Sequence, residues 1–502
     1  MSFQTRLLSG YTDTTGSTES GKLKLAAFNQ FNPQRYPYLL SSSAVRESNT
    51  QYDILIAFPQ YQLTLGADKT LRCDDEQQPL GESFFDTLEQ HYQNNKTDFL
   101  SEAVDLPYTG GWFVYLAYEM ANQIEPCLVL PALDASQPLA VAVRCPAAII
   151  VDKQKQQCFA VAESAYVHLL DQIEQDYLAI KNSADNRLSA VDKIELSSIT
   201  EADESLYLQQ VEKIKQYIID GDIFQANLSR QWQAILKDDV SDVVLFNALA
   251  KHNPSSFAAL ACLQTMSIIS SSPERLVSLR YAPPCSLTAS QHDYGHPSDD
   301  IKAIVETRPI AGTRRRDENK YSDEEMAKEL LSHPKERAEH IMLIDLERND
   351  LGRVCRPGSI HVNELMVLES WQHVHHIVSN ISGELVTGKS PIDVIRAVFP
   401  GGTITGCPKV RCMQILAELE QQARGAYTGS LGYINTDGSM DFNILIRTMV
   451  REKNATSRNK ITFRAGGGIV SDSIAENELA ETRAKAKGLL KIFHLNNENN
   501  TI

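Results

Sequence analysis

The chain lacks several features that mark particular classes of protein. Its nine cysteines are scattered and form no Cys-x-x-Cys pair, which argues against a disulfide framework and against a structural zinc site. No stretch reaches the ~18 continuous apolar residues that a membrane-spanning helix needs. The N-terminus also lacks the apolar core of a signal peptide. We therefore expect a cytoplasmic protein that has no membrane partner.

Positive charge is also in short supply. The 502 residues include 48 lysines and arginines against 64 aspartates and glutamates, which gives a net charge of −16. Such a balance argues against a nucleic-acid partner, although it leaves room for a local basic pocket that binds a small acidic molecule. The length exceeds one hydrophobic core of ordinary size. We predict an N-terminal region over 1–182, a polar linker over 183–204, a main region over 205–490 and a tail over 491–502.

The stretch 461–490 is the best-patterned part of the chain. Apolar and polar residues alternate over 461–465, which predicts a half-buried β-strand. Three glycines follow at 466–468, and we predict a turn there whose backbone N–H groups approach an anion closely. Ser473 and Glu476 have capping-box spacing, so a long helix is predicted to begin near Ser473.

Two pairs of glutamates have helical spacing. Glu478 and Glu481 lie on one face of the predicted C-terminal helix, and Glu336 and Glu339 lie on one face of a helix predicted over 334–348. If the two pairs faced each other, they would form an oxygen-only site suited to Mg²⁺. From spacing alone, a solvated helix surface with salt bridges is the more common alternative.

Three further features are suggestive but not specific. The loop 399–409 is dense in glycine and small hydroxyl side chains that can satisfy an anion. Arg447 lies in an otherwise apolar strand predicted over 442–450, where a buried arginine needs a carboxylate partner, either from a ligand or from the protein. His375 and His376 occupy a short apolar strand, where a histidine is more often a hydrogen-bonded core residue than a catalyst.

Several segments identify the chain as resembling a known family when they are taken together, in order and at their spacing. They are SSPER (271–275), PIAGTR (309–314), KERAEHIMLIDLERNDLGRV (335–354), VHHIVS (374–379), FPGGTITGCPKVR (399–411), GAYTGSLGY (425–433), ILIRT (444–448), AGGGIV (465–470) and ENELAET (476–482). They resemble the chorismate-utilising enzymes. That family includes component I of anthranilate synthase and of aminodeoxychorismate synthase, the salicylate synthases and the isochorismate synthases. The resemblance covers about 205–490, and the N-terminal half is similar to the component I proteins more loosely.

The resemblance implies an α+β fold with two large packed antiparallel β-sheets surrounded by helices. It also implies Mg²⁺-dependent attack of a nucleophile on chorismate, with loss of the 4-hydroxyl group. Glu339 and Glu481 resemble the Mg²⁺ ligands, with Glu336 and Glu478 as water-mediated partners. The residues that would hold the substrate carboxylates are Tyr427, Arg447, Gly467, Gly468 and Lys485. The residues similar to those that face the ring and the leaving hydroxyl are His376, Thr403 and Glu274.

Gln225 bears on the nucleophile. Family members that use water carry a lysine base at this position, whereas a glutamine side chain cannot take a proton. Ammonia needs no such base, so Gln225 argues against the isochorismate and salicylate reactions. Gln225 is therefore predicted to lie at the catalytic site of an enzyme that uses ammonia.

The carbon that receives the nitrogen is harder to predict. Many aminodeoxychorismate synthases read PIKGT, whereas Ala311 stands in place of that lysine here, as in anthranilate synthases. The segments FPGGTITGCPK and GAYTGSLGY are more similar to those of aminodeoxychorismate synthases. We expect amination at C4 to 4-amino-4-deoxychorismate, a precursor of p-aminobenzoate and folate. Amination at C2 with loss of pyruvate, which makes anthranilate for tryptophan, is the alternative.

The chain has no glutaminase-like stretch of its own, because no cysteine has a glycine on each side as in a nucleophile elbow. We therefore expect ammonia to come from a separate glutamine amidotransferase subunit in a heterodimer. An alternative of another class is a non-catalytic homologue that binds only an acidic metabolite or a partner. The presence of Glu339, Glu481, His376 and Arg447 argues against that alternative.

Overall fold

Two β-sheets form the frame of the protein, and their facing surfaces enclose the central core. Tyr38 from one sheet stacks on Phe113 from the other, with ring centroids 3.8 Å apart, inside an apolar cluster to which both sheets contribute. The computed structural model describes residues 2–8, 24–42, 52–98, 106–182, 194–282, 301–316, 319–370, 374–453 and 459–494. This arrangement confirms the predicted α+β fold with two large antiparallel sheets.

The first sheet has 13 strands within the described residues. They are β1 (Phe3–Leu7), β2 (Tyr38–Ser41), β3 (Tyr52–Ala57), β8 (Ala147–Asp152), β9 (Gln157–Glu163), β10 (Ile194–Glu201), β11 (Gln225–Leu236), β12 (Phe257–Cys262), β13 (Met266–Ser272), β19 (Gly406–Cys407), β22 (Thr448–Glu452), β23 (Lys460–Ile469) and β24 (Phe493–His494). The order across the sheet is β1-β9-β8-β3-β2-β12-β13-β22-β23-β11-β10-β24, and β19 pairs with β11.

The second sheet has 11 strands within the same residues. They are β4 (Gln62–Leu65), β5 (Leu71–Cys73), β6 (Gly111–Leu116), β7 (Ala140–Cys145), β14 (Arg275–Ala282), β15 (Lys302–Thr307), β16 (Ile310–Arg315), β17 (His361–Ser370), β18 (Val374–Glu384), β20 (Ser430–Asn435) and β21 (Met440–Asn443). The order is β16-β18-β15-β14-β21-β20-β6-β7-β4-β5, and β17 pairs with β18. Among the described strands, only the pairing of β10 with β24 is parallel.

Helices cover the outer surfaces of both sheets. They are α1 (Ala26–Phe31), α2 (Phe84–Asn95), α3 (Ala121–Ile124), α4 (His168–Asn182), α5 (Glu204–Ile219), α6 (Asp242–His252), α7 (Lys320–Ser332), α8 (Pro334–Gly352), α9 (Pro391–Val398), α10 (Lys409–Glu420) and α11 (Ala475–Leu490). Within the described chain, no helix combines the length and the apolar character that a membrane span requires.

Both sheets take strands from the two sides of the predicted linker. Strand β2 pairs with β12 in the first sheet, and β6 pairs with β20 in the second. The linker prediction is wrong over Ile194–Glu201, because these residues form β10, which buries Ile194 and Leu196 and pairs with β11. Residues 183–193 lie outside the described residues. The predicted tail contributes β24, and 495–502 also lie outside the described residues.

Candidate active site

A cavity of about 1410 Å³ is lined by strands of both sheets and by helices α8 and α11. This volume exceeds that of typical small-molecule pockets, so the cavity has room for a small acidic substrate and a second reactant. Twelve of the thirteen predicted site residues line it: Gln225, Glu274, Glu336, Glu339, His376, Thr403, Tyr427, Arg447, Gly468, Glu478, Glu481 and Lys485. The structure therefore brings these residues together, while their individual roles stay predictions.

The glycines at 466–468 form part of one cavity wall as a strand. The predicted turn is wrong, because β23 continues to Ile469 and pairs residue by residue with β11. Gly466 and Gly468 line the cavity, whereas Gly467 does not. A Cβ atom on Gly467 would point toward helix α11, 3.3 Å from Oε1 of Glu481. The absence of three side chains thus lets α11 and the cavity contents approach the backbone from both faces of the strand.

Gln225 stands at the start of β11 and faces Gly468. A Cβ atom on Gly468 would collide with the amide nitrogen of Gln225 and would lie 3.4 Å from Oε1 of Glu339. The Gln225 amide donates a hydrogen bond from Nε2 to Oε1 of Glu339, at 2.8 Å. Its Oε1 atom is buried and accepts no hydrogen bond from the described residues. Gln225 therefore orients a carboxylate and keeps a free acceptor inside the site.

Four glutamates from two helices face the cavity, as their spacing predicts. On α8, Glu336 pairs with Arg314 at 3.1 Å. On α11, Glu481 pairs with Lys485 at 2.7 Å, and Glu478 accepts a hydrogen bond from the Ser473 hydroxyl at 2.7 Å. Each carboxylate is therefore held by a donor from the protein, in addition to the bond between Glu339 and Gln225.

The start of α11 differs from the prediction. The helix begins at Ala475 with Ile474 as its N-cap residue, and no side chain caps it. The Ser473 hydroxyl bonds instead with the Glu478 carboxylate and accepts the backbone N–H of Val470. The predicted capping box is thus wrong, because Ser473 lies one residue too early and its hydroxyl serves the cavity side of the helix.

The oxygen atoms of these four carboxylates are the kind of ligand that a hard divalent cation prefers. Within the described part of the chain, no three histidine, cysteine, aspartate or glutamate side chains form a group close enough to hold a metal ion. Mg²⁺, however, is usually held by one or two carboxylates, with waters and substrate oxygens completing its shell. Glu339 and Glu481 each place a carboxylate in the cavity wall, and the donor set therefore fits such a cation in its chemistry.

Glu274 and Thr403 form a hydrogen-bonded pair in the cavity wall. The Thr403 hydroxyl donates to Oε1 of Glu274 at 2.6 Å, and Glu274 is almost fully buried. Burial raises the pKa of Glu274 to about 7, although the Thr403 hydroxyl and the charge of Arg447 oppose this shift. Glu274 can therefore exist in both protonation states near neutral pH, as a general acid requires.

Arg447 does not lie within a strand. The strand predicted over 442–450 is interrupted, since β21 ends at Asn443 and β22 begins at Thr448. Arg447 has a positive φ of 50°, and its carbonyl oxygen accepts the backbone N–H of Ser271. This conformation is uncommon for a residue with a side chain. Its guanidinium lines the cavity and forms no ion pair with a described residue, so it is available to an anion.

His376 lies in β18 and faces the cavity. Burial lowers the pKa of His376 to about 3, and the positive charge of Arg447 acts in the same direction. The imidazole is therefore neutral at pH 7. Its Nδ1 lies 3.4 Å from the carbonyl oxygen of Gly312. In this state one ring nitrogen of His376 can donate a hydrogen bond and the other can accept one, but the ring cannot supply a positive charge.

Tyr427 and Lys485 approach the same glycine from different directions. A Cβ atom on Gly466 would lie 2.8 Å from the Tyr427 hydroxyl. The Lys485 ammonium donates to the carbonyl oxygen of Gly466 at 2.8 Å. Two donors predicted to hold carboxylates therefore converge where the strand has no side chain.

Sequence reasoning missed three arginines in the cavity wall, Arg314, Arg316 and Arg464. The alternation over 461–465 predicts that Arg464 lies on the polar side of a half-buried strand, yet only 6% of it is exposed. The signal that could have identified it is the period of two, because Arg464 shares a strand face with Gly466 and Gly468. Arg314 pairs with Glu336, which no spacing within either segment could show.

Known proteins resemble the chain in sequence and in fold. The chorismate binding enzyme family matches residues 38–491. Aminodeoxychorismate synthase component 1 of Bacillus subtilis is 38% identical over 434 residues, which cover 84% of this chain and 83% of that protein. Anthranilate synthase component 1 of Synechocystis is 34% identical over 488 residues, which cover 91% of each chain.

A solved structure agrees with these relatives. The crystal structure of anthranilate synthase component I from Streptococcus pneumoniae matches with a TM-score of 0.72 and 28% sequence identity, covering 89% of this chain and 93% of that one. Relatives named as component 1 of each of these two synthases thus match over most of their length and at similar identity. With its two sheets, its cavity and these matches, the chain belongs to the family of chorismate binding enzymes.

Proposed function

We propose that this protein is component I of an aminodeoxychorismate synthase, which replaces the 4-hydroxyl of chorismate with ammonia and releases water. The observation that carries the chemistry is the convergence of Gln225, Glu274, Arg447 and the glutamates of α8 and α11 on one cavity. The preference for C4 rests on the segments 399–409 and 425–433, which resemble those of aminodeoxychorismate synthases.

The residues of the chain can each perform a defined part of this reaction. Arg447, Tyr427 and Lys485 offer donors to the two carboxylates of the substrate. Protonated Glu274 donates its proton to the departing hydroxyl, while the Thr403 hydroxyl fixes its other oxygen. Gln225 cannot activate water, because its amide donates to Glu339 and has no basic nitrogen. Ammonia, which is already a nucleophile, is therefore the co-substrate that this site suits.

Mg²⁺ is the cofactor we propose for the four glutamates. Glu339 and Glu481 would hold it directly, and Glu336 and Glu478 would act through water. When bound, Mg²⁺ supplies positive charge that orients and polarises a substrate carboxylate. The oxygen-only donor set supports this choice over a softer metal.

Product identification tests the proposal. The protein is incubated with chorismate, Mg²⁺ and an ammonium salt, and then with added 4-amino-4-deoxychorismate lyase. We expect chorismate to be consumed without release of fluorescent anthranilate, and p-aminobenzoate to form only after the lyase is added. Failure to consume chorismate would refute an enzymatic function and favour the non-catalytic alternative.

Anthranilate synthase component I is the second candidate. Ala311 lines the cavity at the position where PIKGT-type enzymes carry a lysine, and this observation favours amination at C2. Direct release of anthranilate and pyruvate in the same incubation would establish this candidate in place of the first. Either enzyme would draw ammonia from a separate glutamine amidotransferase subunit, so adding glutamine alone should not support turnover by the isolated chain.

Glu481→Gln tests the metal assignment. The variant keeps the volume of the side chain but removes a charge that Mg²⁺ needs, so we expect turnover to fall by more than about 100-fold. Thermal unfolding should be unchanged, because Glu481 is exposed on its helix. Glu476→Gln is the matched control, since Glu476 is exposed on α11 and does not line the cavity. Near-normal turnover of Glu481→Gln would exclude Glu481 as a ligand.

A further inference from the structure

A buried cluster of three charged residues lies against the cavity wall near Tyr427. Arg424 and Arg464 both bind the carboxylate of Glu420: Nη2 of Arg424 lies 2.7 Å from Oε1, and Nη2 of Arg464 lies 3.1 Å from Oε2. All three residues are at least nine-tenths buried. Burial opposes ionisation of Glu420, but the two arginines hold its pKa below its usual range. The cluster therefore contains two positive charges and one negative charge.

The two arginines differ in how completely they are hydrogen bonded. Arg424 donates to the carbonyl oxygens of Asn227 and Ile404 in addition to Glu420. Arg464 donates from Nε to the Ser229 hydroxyl at 3.1 Å, but its Nη1 atom is buried and has no partner among the described residues. An unbonded nitrogen on a buried guanidinium is costly, so a further acceptor is expected there.

A further buried carboxyl group, that of Glu119, lies beside Arg424. Glu119 is buried and accepts the backbone N–H groups of Arg424 and Gly425 at 2.7 and 3.1 Å. Burial raises the pKa of Glu119 to about 7, so at neutral pH it carries only part of a negative charge. A buried site with unbalanced positive charge is stabilised when an anion binds beside it.

The position of Arg464 indicates where that anion binds. Arg464 lines the cavity and lies on the same face of β23 as Gly466 and Gly468. Gly466, two residues along, is where the Tyr427 hydroxyl and the Lys485 ammonium converge. We infer that Arg464 is a positioning residue whose positive charge and unbonded Nη1 atom draw one carboxylate of the dianionic substrate to the Tyr427 side of the cavity. This inference rests on the proposed function, because it takes chorismate as the dianion.

A purely structural role for Arg464 makes a different prediction. Its bonds to Ser229 and Glu420 connect β23 with β11 and α10, and a residue with that role alone would affect folding without affecting ligand affinity. Arg230 is a matched control, because it is also buried, lies on the neighbouring strand and has two unbonded nitrogens. Arg230 does not line the cavity.

The test is equilibrium binding of chorismate to the full chain, measured by titration calorimetry with Mg²⁺ and without ammonia. We expect Arg464→Gln, which keeps a polar side chain but removes the charge, to weaken binding by at least about tenfold. Arg464→Lys keeps the charge and should stay within about threefold of the wild type. Arg230→Gln should stay within about twofold. Thermal unfolding of each variant establishes that it is folded.

Several outcomes would overturn the inference. Binding by Arg464→Gln within about twofold of the wild type, or equal losses in Arg464→Gln and Arg230→Gln, would show that the charge of Arg464 does not hold the substrate. If Arg464→Gln fails to fold, Arg464→Lys decides, and a loss of tenfold or more in that variant contradicts a role for charge. A wild-type chain that binds no chorismate would refute the proposed function as well as the inference, whereas wild-type binding with unaffected variants would refute the inference alone.

Discussion

Burial shifts the pKa values of two titratable residues in the cavity in opposite directions. Burial raises the pKa of Glu274 to about 7 and lowers that of His376 to about 3, because burial favours the neutral form of each group. The cavity thus contains an acid that can give a proton at neutral pH and a histidine that cannot. Under the proposed function, this contrast favours Glu274 over His376 as the proton donor.

The pH dependence of turnover follows from Glu274. If its protonated form donates to the leaving hydroxyl, kcat should fall as the pH rises through about 7, because the ionised form has no proton to give. The measurement is a pH–rate profile at a constant concentration of free ammonia, so that the titration of ammonium does not enter. A rate that increases through neutral pH would contradict the assignment.

Stability offers an independent readout of the same residue. The pKa of Glu274 is raised above the ordinary value of 4.5, so its contribution to stability is fully present below about 4.5 and is lost as the pH rises through about 7. Glu274→Gln cannot ionise. We therefore expect the wild type to lose stability relative to this variant across that interval, measured by denaturant unfolding at several pH values.

At the scale of elements, β23 lines the cavity and α10 carries the carboxylate that holds Arg464 in its wall. Strand β23 provides the glycine wall, while α10 ends with Glu420, the carboxylate that binds two buried arginines. The site requires glycines at 466–468 in the strand and the charged side chain of Glu420 in the last turn of the helix. Substitutions in β23 and in α10 test these two requirements.

Alanine substitutions at the three glycines of β23 should have different effects on stability and activity. A Cβ atom on Gly466 would collide with the carbonyl oxygen of Leu228, so Gly466→Ala should disturb strand pairing and lower stability. On Gly468 it would collide with the flexible end of Gln225, so Gly468→Ala should fold but lose activity. On Gly467 it would meet only side-chain ends, those of Glu481 at 3.3 Å and Glu478 at 3.5 Å, so Gly467→Ala should be the mildest of the three. Thermal unfolding and turnover assays separate these effects, and equal behaviour of all three would contradict this account of the wall.

Removing the carboxylate of Glu420, which Arg424 and Arg464 share, should strongly destabilise the protein. Glu420→Gln leaves two buried arginines without a counter-charge, which should lower the free energy of unfolding by about 3–5 kcal/mol. Glu418→Gln, two residues earlier on the exposed face of α10, should change it by less than about 0.5 kcal/mol. Urea denaturation of both variants makes the comparison. A small effect at Glu420 would mean that the arginines find other partners.

At the scale of the whole molecule, the two halves of the chain share both sheets. Leu39 pairs with Leu260 in the first sheet, and Val114 pairs with Gly432 in the second. The inter-sheet core likewise draws on residues from both halves. The strands that line the cavity therefore depend on strands from the N-terminal region for their hydrogen-bonded neighbours.

A fragment that begins at residue 194 should not fold on its own. It would lack β2 and β6, and so would leave β12 and β20 as long unpaired edges with an uncovered apolar face. We expect the fragment to aggregate and to show no cooperative thermal transition by circular dichroism. A monomeric fragment with a cooperative transition would instead support an independent domain over 205–490.

Errors in the sequence predictions have physical causes of their own. The glycine run predicts a turn, but the ladder between β11 and β23 provides enough hydrogen bonds to keep it extended. The polar stretch that predicts a linker contains β10. Its few apolar residues are enough for a strand because β11 provides the hydrogen-bonding partner. Arg447 interrupts an apolar run because its backbone turns out of the strand, and local composition does not encode that turn.

The sequence by itself identified the family resemblance, which implied the α+β fold and twelve residues that line the cavity, because ordered motifs at fixed spacing carry that resemblance. Only the tertiary structure decided that Glu339 and Glu481 lie against adjacent glycines, that burial raises the pKa of Glu274 and that Arg464 shares the carboxylate of Glu420 with Arg424. These properties arise from burial and from contacts between segments far apart in the chain. Local patterns contain no information about either.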